Sequence, residues 1–69
     1  MKLDAGKSSW EELVGINGGV ATQIIMRENP RVKARTVAEG SAVTDNFRCD
    51  RVLVFVDNQN TVTEVPVIG

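Results

Sequence analysis

The side chains best suited to chemistry lie in the polar stretch from residue 40 to residue 51. Its two carboxylates, Asp45 and Asp50, could in principle act as general acid and base, and the thiol of Cys49 could act as a nucleophile. The chain has no histidine and no second cysteine, so nucleophilic triads and the usual zinc sites lack their partners. We therefore predict no catalytic centre, metal site or cofactor, and interpret the stretch as a functional exposed loop.

The length and composition of the chain argue against nucleic-acid binding and against a membrane-spanning segment. With 69 residues, the chain supports one domain and buries roughly 60% of the surface that its unfolded form exposes. Eight basic and nine acidic side chains are spread along the sequence, and only three aromatic residues are present, which argues against nucleic acid as a partner. The longest apolar run, residues 52–56, is too short to cross a membrane.

The single cysteine, Cys49, excludes an internal disulfide. The first residues lack the apolar core of a secretory signal. Both features favour a cytoplasmic location, unless a presequence directing the chain to the vacuole or outside the cell has been removed.

Two helical segments are predicted in the first half of the chain. Trp10, Leu13 and Val14 have the spacing of one helical turn that packs against the core, with Gly15 ending it. A longer helix begins after Asn17, a plausible N-cap, and ends at Asn29-Pro30 because proline interrupts the hydrogen-bond ladder. Its predicted buried stripe consists of Val20, Ala21, Ile24 and Ile25.

Three strands are predicted in the second half. Residues 31–37 alternate in polarity, residues 52–56 are apolar throughout and suit a strand covered on both faces, and residues 61–65 suit a short antiparallel edge strand. Asn60, in the last turn, tolerates a left-handed backbone. The intervening loop is long enough for either parallel or antiparallel pairing of the first two strands, so this pattern leaves their direction open.

A more specific pattern is carried by the following segments: Gly6 to Trp10, Glu12 to Gly15, Glu28 to Pro30, Glu39 to Ser41, Val43-Thr44, Phe47 to Val52, Val65-Pro66 and Gly69. These segments resemble, in register and without a gap, the potato type I family of serine protease inhibitors. The resemblance implies an α+β wedge in which one helix packs on a small mixed β-sheet. A long exposed reactive loop connects two parallel strands of that sheet.

The family binds subtilisin-like and chymotrypsin-like serine proteases in a substrate-like way, so the resemblance implies a reversible inhibitor of such enzymes that acts as a monomer. We expect a single inhibitor domain over residues 1–69, in which residues 1–8 form a mobile arm because they are polar and contain glycine. By position, the reactive bond joins Asp45 to Asn46. The flanking contacts to the protease would be Ala42, Val43, Thr44, Phe47 and Arg48.

In the family, two arginines on the strand after the loop brace it. Arg51 matches the first, but Leu53 occupies the second position, and Asn46 replaces the acidic partner. The resemblance therefore implies a reduced set of bracing residues: Arg51 with Thr44 and Asn46, helped by Arg48 or the Gly69 carboxylate. A neutral acceptor makes a weaker hydrogen bond than a charged one, which predicts a looser loop than is usual in the family.

Two further departures affect stability and target. Some members pair the cysteine matching Cys49 with one near the N-terminus, where this chain has Asp4. Asp45 is costly to bury in an apolar specificity pocket. The expected partner is therefore a subtilisin-like protease with a shallow pocket or a protease that prefers acidic residues. The alternative is a non-inhibitory interaction or regulatory module that keeps the fold.

Overall fold

The computed structural model of the chain describes residues 8–41 and 46–69. A short 3-10 turn, Glu11–Leu13, precedes the helix α1, Gly18–Glu28, and two strands follow: β1, Lys33–Ala38, and β2, Arg51–Val56. The predicted mobile arm, apart from residue 8, lies outside the described residues. Neither described helix is long and apolar enough to cross a membrane.

Helix α1 begins and ends at the signals that the sequence contains. The side-chain oxygen of Asn17 accepts a hydrogen bond from the Val20 amide at 3.1 Å, which satisfies one of the free donors at the helix N-terminus. At the other end, Asn29 takes an extended backbone before Pro30. Both predicted boundaries are confirmed.

The two strands pair in parallel, which resolves the direction that the hydrophobic pattern left open. Their register runs from Lys33 opposite Arg51 to Ala38 opposite Val56. Helix α1 packs against this sheet. The α+β architecture with two parallel strands joined through a long loop is therefore confirmed.

The predicted antiparallel strand over residues 61–65 is wrong as a strand. In the described part of the chain, this region forms only isolated antiparallel bridges, pairing Val56 with Val62 and Asn17 with Thr61. Further along, the Pro66 carbonyl accepts a hydrogen bond from the Trp10 amide at 3.0 Å, and Ile68 forms another antiparallel bridge with Val52 of β2. The mixed character of the sheet therefore comes from bridges beside β2.

Trp10 lies at the centre of the core. Its side chain is 0% exposed, and its indole Nε1 donates a hydrogen bond to the Glu28 carboxylate at 3.0 Å. The indole thus connects the start of the described chain to the last turn of α1. The buried core consists of Trp10, Leu13, Ala21, Ile25, Val32, Val52, Val54, Val56 and Val62.

Two predicted core positions are exposed. Val14 is 43% exposed because it follows a turn of only three residues and has an extended backbone, so it no longer shares a face with Leu13. Val20 is 51% exposed, since it lies in the first turn of α1 at the margin of the packed face. Ile24 is only partly buried against the core.

Strand β2 is fully covered on one face only. Val52, Val54 and Val56 are buried, whereas Leu53 and Phe55 are half-buried. The prediction that both faces are covered is therefore wrong, because α1 packs on one side of the sheet. The other side, called the outer face below, carries Lys33, Arg35, Arg51, Leu53 and Phe55.

The turn after β2 is built from polar side chains. The Asp57 carboxylate accepts hydrogen bonds from the amides of Gln59 and Thr61 at 2.9 and 3.0 Å. Asn60 has a positive φ of 62°, which confirms its predicted left-handed backbone. Its carbonyl accepts a hydrogen bond from the Gly18 amide at 2.8 Å, so the turn is connected to the first residue of α1.

Gly18 is a site where we expect an added methyl group to destabilise the fold. A Cβ atom there would lie 2.6 Å from Val56 Cγ1 and 2.8 Å from Thr36 Cγ2. Overpacking of this kind typically costs about 1–3 kcal/mol. The free energy of unfolding of Gly18→Ala, measured by urea denaturation, should fall by that amount. Gln23→Ala, at an exposed position of α1, is the control, and an equal effect in both variants would contradict the steric argument.

Candidate functional site

Arg51 joins the segment after the loop to residue 69. Its guanidinium donates one hydrogen bond from Nη2 to the main-chain carbonyl of Asn46 at 2.6 Å, and another from Nε to the main-chain oxygen of Gly69 at 2.7 Å. The Gly69 amide donates in return to the Arg51 carbonyl at 2.9 Å. The half-buried side chain of Arg51 thus connects the nearby Asn46 to Gly69, which lies 18 positions further along the chain.

The sheet explains why Arg51 reaches both acceptors. Because side chains alternate along a strand, the inward position of Val52 puts Arg51 on the outer face. An antiparallel bridge between Val52 and Ile68 brings Gly69 beside it. The rigid guanidinium then offers donors in more than one direction from a single position.

Two of the bracing partners that the resemblance implied, Asn46 and Gly69, accept hydrogen bonds from Arg51. Asn46 contributes its main-chain carbonyl to Arg51. Gly69 is bound to Arg51 as well. Thr44 lies outside the described residues, as do Ala42, Val43 and Asp45.

Arg48 makes a separate contact on the surface. It forms an ion pair with Asp50, donating from Nε at 3.1 Å and from Nη2 at 3.2 Å. The two side chains are 56% and 53% exposed. The hydrogen bond from Arg48 lowers the pKa of the Asp50 carboxyl, and the same bond raises the pKa of Arg48. Arg48 is thus directed at Asp50, whereas Arg51 holds Asn46.

We expect Arg48→Gln to raise the pKa of Asp50 towards its ordinary value, because the charged donor is removed. A carboxyl with a lowered pKa contributes stability above its ordinary pKa and loses it as the pH falls through the lowered value. Any contribution of this exposed pair therefore disappears in acid. Titration of the Asp50 carboxyl by NMR in both proteins measures the shift. An unchanged pKa in the variant would show that the ion pair does not form in solution.

The segment from Asn46 to Asp50 is exposed throughout. The Phe47 ring is 70% exposed, which leaves a large apolar side chain beside the predicted reactive bond. Cys49 is a free, exposed thiol. Across residues 8–41 and 46–69, the acidic side chains and this thiol form no group of three that could hold a metal ion. The described part of the site thus offers an exposed aromatic side chain, Phe47, for contact with a partner, and Arg51, which holds the Asn46 carbonyl.

Lys33 and Arg35, which lie on the outer face beside Arg51, are not among the site residues predicted from the sequence. The register places Lys33 directly opposite Arg51 and Arg35 opposite Leu53. The signal in the sequence is two basic residues at strand spacing. Their proximity to Arg51 depends on the parallel register, which the sequence pattern left open.

Comparison with known proteins gives one consistent result. The family model described as the Potato inhibitor I family matches residues 2–69. The chain is 52% identical to an inhibitor of trypsin and Hageman factor from Cucurbita maxima over 93% of this chain and 94% of that protein. It is 53% identical to a Glu S.griseus protease inhibitor from Momordica charantia, with the same coverage. The crystal structure of bitter gourd trypsin inhibitor matches with a TM-score of 0.91 and 52% identity, over 93% of this chain and 94% of that one.

Proposed function

We propose, since the chain belongs to the potato inhibitor I family, that it is a reversible, substrate-like inhibitor of serine proteases presenting the Asp45–Asn46 bond. The observation that best supports this proposal is the pair of hydrogen bonds from Arg51 to Asn46 and Gly69. Such bonds hold the residue after the bond in a fixed position relative to the sheet. We infer that the chain acts as a single domain over residues 1–69, as a monomer and without catalysing a reaction itself.

Inhibition instead of digestion follows from how the loop is anchored. A segment already held in its bound conformation loses little entropy on association, so modest contacts give tight binding. If the protease cuts the bond, one new end stays connected to β1 and the other to β2, and these strands remain paired. Because Arg51 keeps Asn46 beside the sheet, the new amino group stays near the acyl-enzyme and can reform the bond.

The residue before the bond, Asp45, limits the choice of protease. An unpartnered carboxylate is costly to transfer into a deep apolar pocket. We propose a subtilisin-like enzyme with a shallow pocket as the target, with affinity supplied by Val43, Thr44 and the exposed Phe47 ring. A relative from Amaranthus caudatus, 49% identical, is named a trypsin/subtilisin inhibitor. The relative from Momordica charantia is named a Glu S.griseus protease inhibitor, and a protease that prefers acidic residues is the second candidate for this chain.

A protease panel tests this proposal. The purified protein is titrated against subtilisin, a glutamyl endopeptidase, chymotrypsin and trypsin, with active-site-titrated enzyme and a chromogenic substrate. We expect sub-micromolar inhibition of subtilisin or the glutamyl endopeptidase, weakened by Thr44→Ala. Asp45→Lys should gain inhibition of trypsin, because lysine suits an acidic pocket.

Two outcomes would contradict the proposal at different levels. Tight inhibition of trypsin by the unaltered chain would show that the protease target inferred from Asp45 is wrong, but it would support the inhibitory function. Absence of inhibition across the panel, with no gain in Asp45→Lys or Asp45→Met, would favour the non-inhibitory interaction module.

A further inference from the structure

A basic groove opens on the outer face of the sheet, where β1 and β2 begin. It has a volume of about 250 Å³ and is lined by Lys33, Ala34, Arg35, Arg48, Asp50 and Arg51. Four cationic side chains therefore surround one carboxylate. That carboxylate is already hydrogen-bonded to Arg48, so the groove keeps an excess of positive charge.

Two of the groove's positive charges, which have no ion-pair partner in the described part of the chain, lie on β1. Lys33 and Arg35 are both exposed, and neither forms an ion pair within residues 8–41 and 46–69. They point to the same face because they are two residues apart in a strand, which separates their positions by roughly 6.6 Å. The cations thus form a line along β1, which suits an extended ligand with regularly spaced negative charges better than a small anion.

The main chain of β1 adds a second feature. In the described sheet, β1 is an edge strand that pairs with β2 on one side. The amides of Lys33 and Glu39 donate towards the β2 side, to the carbonyls of Asp50 and Val56 at 2.8 Å each. Because main-chain groups alternate along a strand, the amides and carbonyls of Ala34 and Thr36 point to the other side. Within the described residues they have no main-chain partner there.

We propose that the β1 edge binds an extended acidic segment of a partner protein. The segment adds a strand to the sheet by hydrogen-bonding to the main chain of Ala34 and Thr36, as exposed strand edges do with peptides. Carboxylates at alternate positions of the segment then lie on the outer face beside Lys33 and Arg35. The proposal is independent of protease inhibition, because it uses neither the reactive bond nor the residue after it.

The charges also select the partner. Lysine and arginine on an edge strand oppose pairing with another strand of the same charge, which protects against aggregation. Two copies of this chain meeting edge to edge would bring Lys33 and Arg35 of each copy together, so a second copy is disfavoured. An acidic segment is instead attracted, because its carboxylates carry the opposite charge to Lys33 and Arg35.

The test is an NMR titration of the full chain, labelled with nitrogen-15, with a short peptide in which glutamate and threonine alternate. We expect chemical-shift changes concentrated at Ala34 and Thr36, slower amide hydrogen exchange at both, and weaker binding at higher salt. Three comparison ligands are a peptide with glutamine in place of glutamate, a peptide of the same composition with its glutamates in one block, and a heparin-derived oligosaccharide.

A double variant and a matched control assign the binding to these residues. Lys33→Ala with Arg35→Ala should raise the dissociation constant by about threefold or more, as expected for loss of two exposed ion pairs. Arg27→Ala removes an exposed charge from the last turn of α1 and should leave binding unchanged. Equal effects of the two changes would overturn the proposal.

The comparison ligands provide the other contradicting outcomes. No binding of the alternating peptide would mean that the basic residues only protect the edge. Equal binding of the glutamine or block peptide would show that carboxylates spaced along a strand are not what is recognised. Tighter binding of the oligosaccharide, with no change in exchange at Ala34 and Thr36, would make the groove a polyanion site instead.

Discussion

Arg51→Ala is expected to weaken inhibition by about tenfold to a hundredfold and to make the Asp45–Asn46 bond easier to cut. The lost hydrogen bond to the Asn46 carbonyl, 2.6 Å long, has a charged donor. Bonds of this type contribute about 1.5–3 kcal/mol, and each 1.4 kcal/mol is about tenfold in a binding constant. The inhibition constant and the rate of cleavage, followed by mass spectrometry, measure the two effects.

Two variants distinguish the loss of this contact from a general loss of positive charge. Arg51→Lys keeps the charge but offers one ammonium in place of the guanidinium fork, so we expect an intermediate effect. Arg27→Ala should change neither the inhibition constant nor the cleavage rate. The free energy of unfolding of each variant shows whether the fold is retained. A folded Arg51→Ala protein that inhibits and resists cleavage as well as the unaltered chain would contradict the bracing role of Arg51.

Trp10→Ala is expected to unfold most of the protein at room temperature. The indole is fully buried, and truncating a buried aromatic side chain to alanine typically costs about 3–5 kcal/mol. A domain of this size has only about 3–5 kcal/mol of stability from its core. The change should therefore remove nearly all of it. Because Trp10 is the only tryptophan, unfolding has to be followed by far-ultraviolet circular dichroism.

Trp10→Phe provides a variant that still folds. It keeps most of the apolar contact but removes the Nε1 donor that binds Glu28. We expect a smaller loss of about 1.5–3 kcal/mol, which corresponds to a hydrogen bond to a charged group. Urea denaturation gives the value. If Trp10→Ala kept the denaturation midpoint of the unaltered protein, the central position assigned to the indole would be wrong.

Features encoded by neighbouring residues were predictable from the sequence. The N-cap at Asn17, the helix end before Pro30 and the left-handed Asn60 each depend on a side chain and the few residues around it. The burial of Trp10 and Leu13 followed from their type and spacing. The α+β fold itself came from the family resemblance, which covers nearly the whole chain.

Features that depend on distant contacts were not predictable from the pattern. The direction of β1 relative to β2 depends on the path of the chain between them, and a strand pattern is the same for either direction. Val14 has an apolar type and helical spacing, yet the turn before it is too short to direct it inward. Strand β2 looks covered on both sides by composition, but the chain has only one described helix long enough to cover a face of the sheet.

Some features of the candidate site were predictable from the sequence, and others were not. The resemblance named Arg51, Asn46 and Gly69, and the structure brings these three together. It did not indicate that Asn46 would use its main-chain oxygen, because the direction of a carbonyl is determined by the local backbone. The position of Lys33 and Arg35 beside Arg51 could not be predicted either, because it depends on the register of β1 against β2.

The length of the loop between β1 and β2 should have only a weak effect on the stability of the sheet. Strand β1 ends at residue 38 and β2 begins at residue 51, so the 12 residues 39–50 connect the two strands. The entropy of closing a flexible loop rises slowly with length, by about 0.6 kcal/mol for each doubling. The residues paired in register are 18 positions apart in the sequence, so their pairing is a non-local step in folding. We therefore expect a short insertion before Asn46 to change the free energy of unfolding little, so the same scaffold can carry loops of different length.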